Sequence, residues 1–178
     1  MTLPITIEEY DPRWPQEFES ICTRVAEGLG PLAAAIEHVG STSVPALAAK
    51  PIIDLDILLR SPADLSEVIR ILESFGYEHR GDLGVPGREA FRAPAGSFPH
   101  HLYVCPPDGR EYYRHLAFRD HLRAHPQDAE TYAALKRRLA LKHADDREAY
   151  SCGKADFVEE ILRRAGAEHF PHGDRIIP

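Results

Sequence analysis

Two aspartates sit inside an apolar run, Ile52-Ile53-Asp54-Leu55-Asp56-Ile57-Leu58-Leu59. The bulk and β-branching of the run predict a strand buried on at least one face. Side chains alternate along a strand, so Asp54 and Asp56 share a face, roughly 7 Å apart. At that distance they repel by about 2 kcal/mol even at an effective dielectric of 20. Burial adds a desolvation cost for each. A cation has to lie over that face. Ahead of it, Gly40-Ser41-Thr42 ends 12 residues before Asp54 and follows a short predicted strand, 35–39. A glycine lets backbone N–H groups come close to an anion, and Ser and Thr hydroxyls add donors. The carboxylates suit Mg²⁺ or Mn²⁺, which take hard oxygen ligands and share them with phosphates. The loop would take phosphate, the carboxylates the ion, and the ion would bridge the two.

Each feature alone admits a plainer reading. Gly-Ser-Thr is a common turn or helix cap. The two aspartates can instead be answered by Lys50, Arg92 or Arg119 in a structural ion-pair network. Lys50 precedes the aspartate strand, Arg92 lies in the next strand pair, and Arg119, Lys136 and Lys154 fall on C-terminal helices. A triphosphate calls for bidentate Arg or point-charge Lys, so these five are the candidate phosphate ligands. For each, the alternative is a solvated helix face or a salt bridge to neighbours such as Asp120 or Glu37. His121 and His125 have the spacing of a helical zinc pair, but the H-E-x-x-H glutamate is absent and Pro126 ends the helix. His100 and His101 face opposite ways on a strand, so at most one enters a cleft.

The elements that must position these residues follow from periodicity. Trp14, Phe18, Ile21, Val25 and Leu29 mark an amphipathic helix over 14–29. Ser61-Pro62-Ala63-Asp64 is a helix start, and Leu65, Val68, Ile69, Leu72 and Phe75 supply a buried face that Gly76 ends. Residues 41–50 read as a turn with one helical turn, 89–93 and 101–105 as strands, and 111–124, 127–143 and 146–165 as helices. The tail, 166–178, shows no periodicity. The order predicts a single α/β (α+β) domain over 1–178. No Rossmann fingerprint and no G-x-x-x-x-G-K-[ST] phosphate loop is present.

The composition is that of a globular chain: 178 residues, 43% apolar and 28% charged. A net charge of −7 gives no global attraction to nucleic acid or anionic membranes, so neither is an expected partner. Cys22, Cys105 and Cys152 are scattered and odd in number, fitting reduced thiols. Residues 1–20 lack an apolar signal core, and no run is long enough to span a bilayer. The expected location is cytoplasmic; nothing in the residues sets the oligomeric state.

A strand, a glycine-serine turn and a D-x-D strand in this order resemble the nucleotidyltransferase superfamily, with its h-G-[GS] and [DE]-h-[DE] signature. EHVGSTSVPALAAKPIIDLDILL, then FR at 91–92, HHLYV at 100–104, LAFRDHLRAHP at 116–126 and Y-x-x-x-K at 150–154 followed by Phe157, looks like the GrpB family. The match runs in order along nearly the whole chain. It implies a nucleotidyltransferase-like mixed sheet flanked by helices, with the C-terminal helices packed against the site. The resemblance supplies no substrate; the loop and the paired carboxylates lead to the expectation of an NTP and a small-molecule hydroxyl acceptor as partners, with Mg²⁺ or Mn²⁺ as cofactor. Asp54 and Asp56 would hold the metal, Gly40, Ser41 and Thr42 the phosphates. The chain departs from the family in two places. Ala46 stands where the family usually has glycine after Val-Pro. The strand expected to carry a third carboxylate reads H-H-L-Y-V and offers His101 and Tyr103 on one face. His101 is then the candidate third ligand or base, with Glu89 as a substitute from a neighbouring strand. Two functions stay open: nucleotidyl transfer, or a non-catalytic nucleotide- or metabolite-binding module that partners a kinase such as dephospho-CoA kinase, to which some relatives are fused. A metal-dependent phosphohydrolase using the same carboxylates is a third.

Overall fold

The aspartate run forms strand β2 (Ile53–Leu59), and its alternation sorts the molecule into layers. In this computed structural model, which describes residues 4–167, β2 is paired on both edges. β1 (Ala33–Val39) lies antiparallel on one side and β5 (His100–Cys105) parallel on the other. β4 (Glu89–Arg92) and the two-residue β3 (Glu78–His79) complete a mixed sheet in the order β1-β2-β5-β4-β3.

The odd positions of β2 make the core. Ile53, Leu55, Ile57 and Leu59 are buried, packed under helices α1 (Trp14–Leu29) and α2 (Leu65–Ser74). Fully burying each such side chain contributes roughly 1.5–3 kcal/mol. Both helices arise as the periodicity predicts, and Ser61 caps the turn that leads into α2 by accepting from the Ala63 N–H at 3.2 Å.

The even positions, Asp54 and Asp56, face the other layer. There the chain runs through α3 (Arg110–Ala124), α4 (Pro126–Lys142), α5 (Arg147–Cys152) and α6 (Ala155–Arg164). The expected C-terminal helices are present on the aspartate side, with one difference. The segment 146–165 is two helices, broken at Gly153-Lys154. A Cβ at Gly153 would lie 2.6 Å from a Leu139 methyl, so α4 passes close to the chain at this point and a larger residue would have to displace the Leu139 side chain. The break sets the position of Lys154. Residues 168–178, most of the aperiodic tail, and 1–3 lie outside the described residues, so the single-domain expectation for 1–178 extends beyond them. No helix among the described residues is long and apolar enough to cross a membrane.

The loop from β1 to β2 opens with one 3-10 turn (Ser41–Ser43) and carries a strained residue further on. Ala46 sits at φ +65°, in the left-handed region that costs a Cβ-bearing residue roughly 1–2 kcal/mol. A glycine at this position removes that cost and returns part of it as chain entropy. Ala46→Gly should therefore stabilise the protein by about 0.5–1 kcal/mol, read as a rise of about 1–4 °C in Tm. An unchanged or lower Tm would show that the turn relaxes around the alanine.

Candidate functional site

The charge problem posed by the two aspartates is met by two imidazoles. Parallel pairing of β2 with β5 sets Asp54 beside His101 and Asp56 beside Tyr103. His101 Nδ1 lies 2.8 Å from Asp54 Oδ1, an N–H donating to a carboxylate. From α3, His115 Nδ1 lies 2.6 Å from Asp56 Oδ2. Burial pushes the Asp54 carboxyl up, but the His101 hydrogen bond and charge, with Lys50 and His115 further off, outweigh it and hold Asp54 below the ordinary carboxylate value. For His115 burial pulls down, and the Asp56 charge and hydrogen bond win, raising it.

His115 carried no motif in the sequence. The available signal was helical spacing: with Glu111, Phe118 and Leu122 it falls at steps of four, three and four, one face of α3. Which sheet residue that face meets depends on packing, and packing is not local.

Asp54, His101 and His115 open into a cleft between the sheet and the C-terminal helices, about 890 Å³ with the solvent-open space at its mouth included. Its far wall is basic. Lys136, from α4, is 2% exposed and donates to Ser41 Oγ at 2.8 Å and to the Ala48 carbonyl at 2.6 Å, with Nζ 4.6 Å from the Tyr132 ring centre. Lys50 and Lys154 approach the Tyr150 ring, at 5.4 and 4.7 Å. All three lysines are pulled below their ordinary values, by burial first; mutual repulsion adds for Lys136 and Lys154, and Arg147 for Lys50. Two buried amino groups, Lys136 and Lys154, and the half-buried Lys50 facing one space form a site for an anion.

The loop supplies one hydroxyl to this wall. Ser41 Oγ receives Lys136. The Thr42 hydroxyl, though beside the cleft, bonds to His38 Nε2 at 3.0 Å and donates to the Ile52 carbonyl at 3.3 Å, so it serves the loop itself. Gly40 packs directly on Asp54: a Cβ there would lie 2.1 Å from Oδ2. Arg123, unremarked in the sequence, donates to the Ser43 carbonyl at 3.1 and 2.8 Å and ties α3 to the loop.

Of the predicted site residues, the structure gathers Gly40, Ser41, Thr42, Lys50, Asp54, His101, Lys136 and Lys154 around the cleft. Asp56 lies behind His115 and is fully buried. Two residues are elsewhere. Arg92 is largely exposed at the end of β4 and pairs with Glu78 at 2.6 Å. Arg119 pairs with Glu37 and Asp120, each at 2.7 Å, and donates to the His38 carbonyl at 3.0 Å, the structural alternative weighed for it. Glu89 is engaged with His79 at 2.6 Å.

The carboxylates fit a divalent ion in part. Asp56 Oδ1 is buried without a hydrogen-bond partner, and the hydrogen bond that Asp54 makes to His101 uses Oδ1 and leaves Oδ2 outside it. Two hard oxygens left over on one strand face suit Mg²⁺, which takes one or two carboxylates and fills its shell with water and phosphate. No group of three or more His, Cys, Asp or Glu side chains placed to hold a metal occurs among the described residues, so water or ligand oxygens would complete the shell.

A Gly-Ser turn packed on a D-x-D strand, in a mixed sheet whose carboxylate face is covered by C-terminal helices, defines a nucleotidyltransferase-like fold. The chain belongs to the GrpB family: the family model described as GrpB protein matches residues 4–164. It is 40% identical over 166 residues to UPF0157 protein BH1888 of Halalkalibacterium halodurans, covering 92% of this chain and 83% of that one. It is 38% identical over 156 residues to UPF0157 protein YqkA of Bacillus subtilis, covering 88% of this chain but only 46% of YqkA. A dephospho-CoA kinase of Mycolicibacterium paratuberculosis matches 91% of this chain at 28% identity, over 46% of its own length. Among solved structures, the crystal structure of conserved protein GrpB from Enterococcus faecalis superposes with a TM-score of 0.82 at 37% identity, over 90% of this chain and 96% of that one. The GLD-2/RNP-8 complex superposes at 0.56 with 13% identity, over 88% and 61%, a likeness of fold alone.

Proposed function

We propose that the cleft binds a nucleoside triphosphate with Mg²⁺ or Mn²⁺ and that the protein transfers a nucleotidyl group to a small hydroxyl acceptor. The observation that carries this reading is the convergence of Lys50, Lys136, Lys154 and Ser41 on a cleft whose other wall holds Asp54. Asp54 and Asp56 would hold the ion, which supplies charge neutralisation at the phosphates. The β- and γ-phosphates would lie on the lysines and Ser41, leaving the α-phosphorus toward Asp54. His101, half-exposed and oriented through Nδ1 by Asp54, keeps Nε2 free to take the proton of the acceptor hydroxyl as it attacks in line and pyrophosphate leaves.

The test is calorimetric titration of ATP, GTP, CTP and UTP in Mn²⁺. We expect metal-dependent binding that falls at least about 100-fold in Asp54→Asn, since a carboxylate–metal contact is lost, and that is unchanged in Arg92→Ala. Binding retained in Asp54→Asn would remove the D-x-D strand from the site.

A second reading has its own observation. The residue beside Asp54 on β5 is His101 and no acid, which supports a nucleotide- or metabolite-binding module without transfer. The kinship with a dephospho-CoA kinase suggests a kinase as its partner. Release of pyrophosphate from an NTP and a metabolite extract separates the two; release of orthophosphate would instead indicate a hydrolase.

A further inference from the structure

Lysine is scarce in this chain. Of 21 Lys and Arg residues only Lys50, Lys136, Lys142 and Lys154 are lysines, and three of these four line the cleft. The fourth, Lys142, is exposed. Arginine keeps its proton throughout the working pH range, whereas a buried lysine gives it up and becomes a nucleophile.

The three cleft lysines are not equivalent. Lys136 is tied down by Ser41 and Ala48, and Lys50 lies further from the shared ring. Lys154 opens α6 at the Gly153 break, 5% exposed, and makes no side-chain hydrogen bond among the described residues; its contact is the Tyr150 face. Burial lowers it to about 8, Lys50 pushing the same way and Asp54 opposing. At pH 7.5 about a quarter of such amines are free, against about one in a thousand for an exposed lysine.

We propose that Lys154 is a covalent modification site, acylated by small acyl phosphates whose phosphate docks against Lys50, Lys136 and Ser41. This rests on the anion-binding reading of the cleft. Lys154 Nζ attacks the acyl carbon, the bond from that carbon to the phosphate oxygen breaks, and inorganic phosphate leaves. The amine proton passes to the departing phosphate or to water. The amide that results carries no charge, so one of three cations is gone and triphosphate binding falls by about tenfold.

The full chain is incubated with acetyl phosphate at pH 7.5, and acetylation of the four lysines is followed by peptide mass spectrometry with Lys142 as internal reference. A parallel reaction uses an uncharged acetyl ester. Acetyl phosphate should modify Lys154 at least about tenfold faster than Lys142, because Lys50, Lys136 and Ser41 hold its phosphate in the same cleft as the amine, and the ester, with no phosphate to dock, should prefer it less. Lys154→Arg should leave the Lys142 rate as it was. Equal rates at Lys154 and Lys142 overturn the proposal, whether or not ATP binds. Preferential labelling that ATP and Mn²⁺ fail to slow supports the modification and overturns the nucleotide reading instead.

Discussion

Gly40→Ala should lower Tm by about 6–12 °C and abolish metal-dependent nucleotide binding. Gly40 has φ +69° and ψ −174°, a region open almost only to glycine, where a Cβ-bearing residue costs about 1–3 kcal/mol. The added methyl also collides with Asp54, at 2.1 Å from Oδ2 and 2.9 Å from Cγ. Asp54 must swing away, and its hydrogen bond to His101 goes with it. The two terms together suggest about 3 kcal/mol. Gly30→Ala is the control: Gly30 also has positive φ, at +49°, but nothing lies within 4 Å of its Cβ position. It should lose stability through strain alone and bind nucleotide normally. Thermal melts and calorimetry on both variants check this. A Gly40→Ala protein that melts and binds as wild type does would mean that the turn and the carboxylate are not locked together.

The same contact shows what was legible in the sequence and what was not. Asp54, Asp56 and the Gly-Ser turn stood out because charge in an apolar strand, and glycine after a strand, conflict with local preference, and such conflicts concentrate where function overrides it. Strand alternation also brought His101 onto the right face. Its pairing with Asp54, however, comes from a parallel register reached only after a crossover through α2, β3 and β4, which no local pattern encodes. Long-range packing explains the remaining differences. Arg92 and Lys136 look alike in sequence; one meets Glu78 across neighbouring strands and the other is carried under the loop by α4. Gly153 reads as a tolerated glycine within a helix until α4 is seen crossing it. His115 is reached only once α3 is docked on the sheet.

Lys136→Met should weaken triphosphate binding roughly 100-fold while changing stability by less than about 1.5 kcal/mol. Methionine keeps the length and flexibility of the lysine stem, so the packing against Tyr132 survives. The Ser41 hydroxyl and the Ala48 carbonyl lose a donor, which costs about 1–3 kcal/mol. Against that, a buried ammonium is removed from the neighbourhood of Lys50 and Lys154, both of which repel it. A buried charge without a carboxylate partner destabilises its own fold, so its removal offsets most of the lost hydrogen bonding. Binding has no such compensation. The triphosphate loses a direct charge-assisted contact, and Ser41 is no longer held by Nζ. Lys136→Arg should not rescue, because the planar guanidinium is bulkier than the ammonium seated between Ser41 and Ala48. Calorimetric titration of ATP in Mn²⁺, paired with thermal melts, separates the effects. Loss of binding at nearly constant Tm makes Lys136 a ligand residue whose charge is kept at the expense of stability. A large fall in Tm with binding intact would make it a structural lysine, and the basic wall would then lose its strongest claim to phosphate.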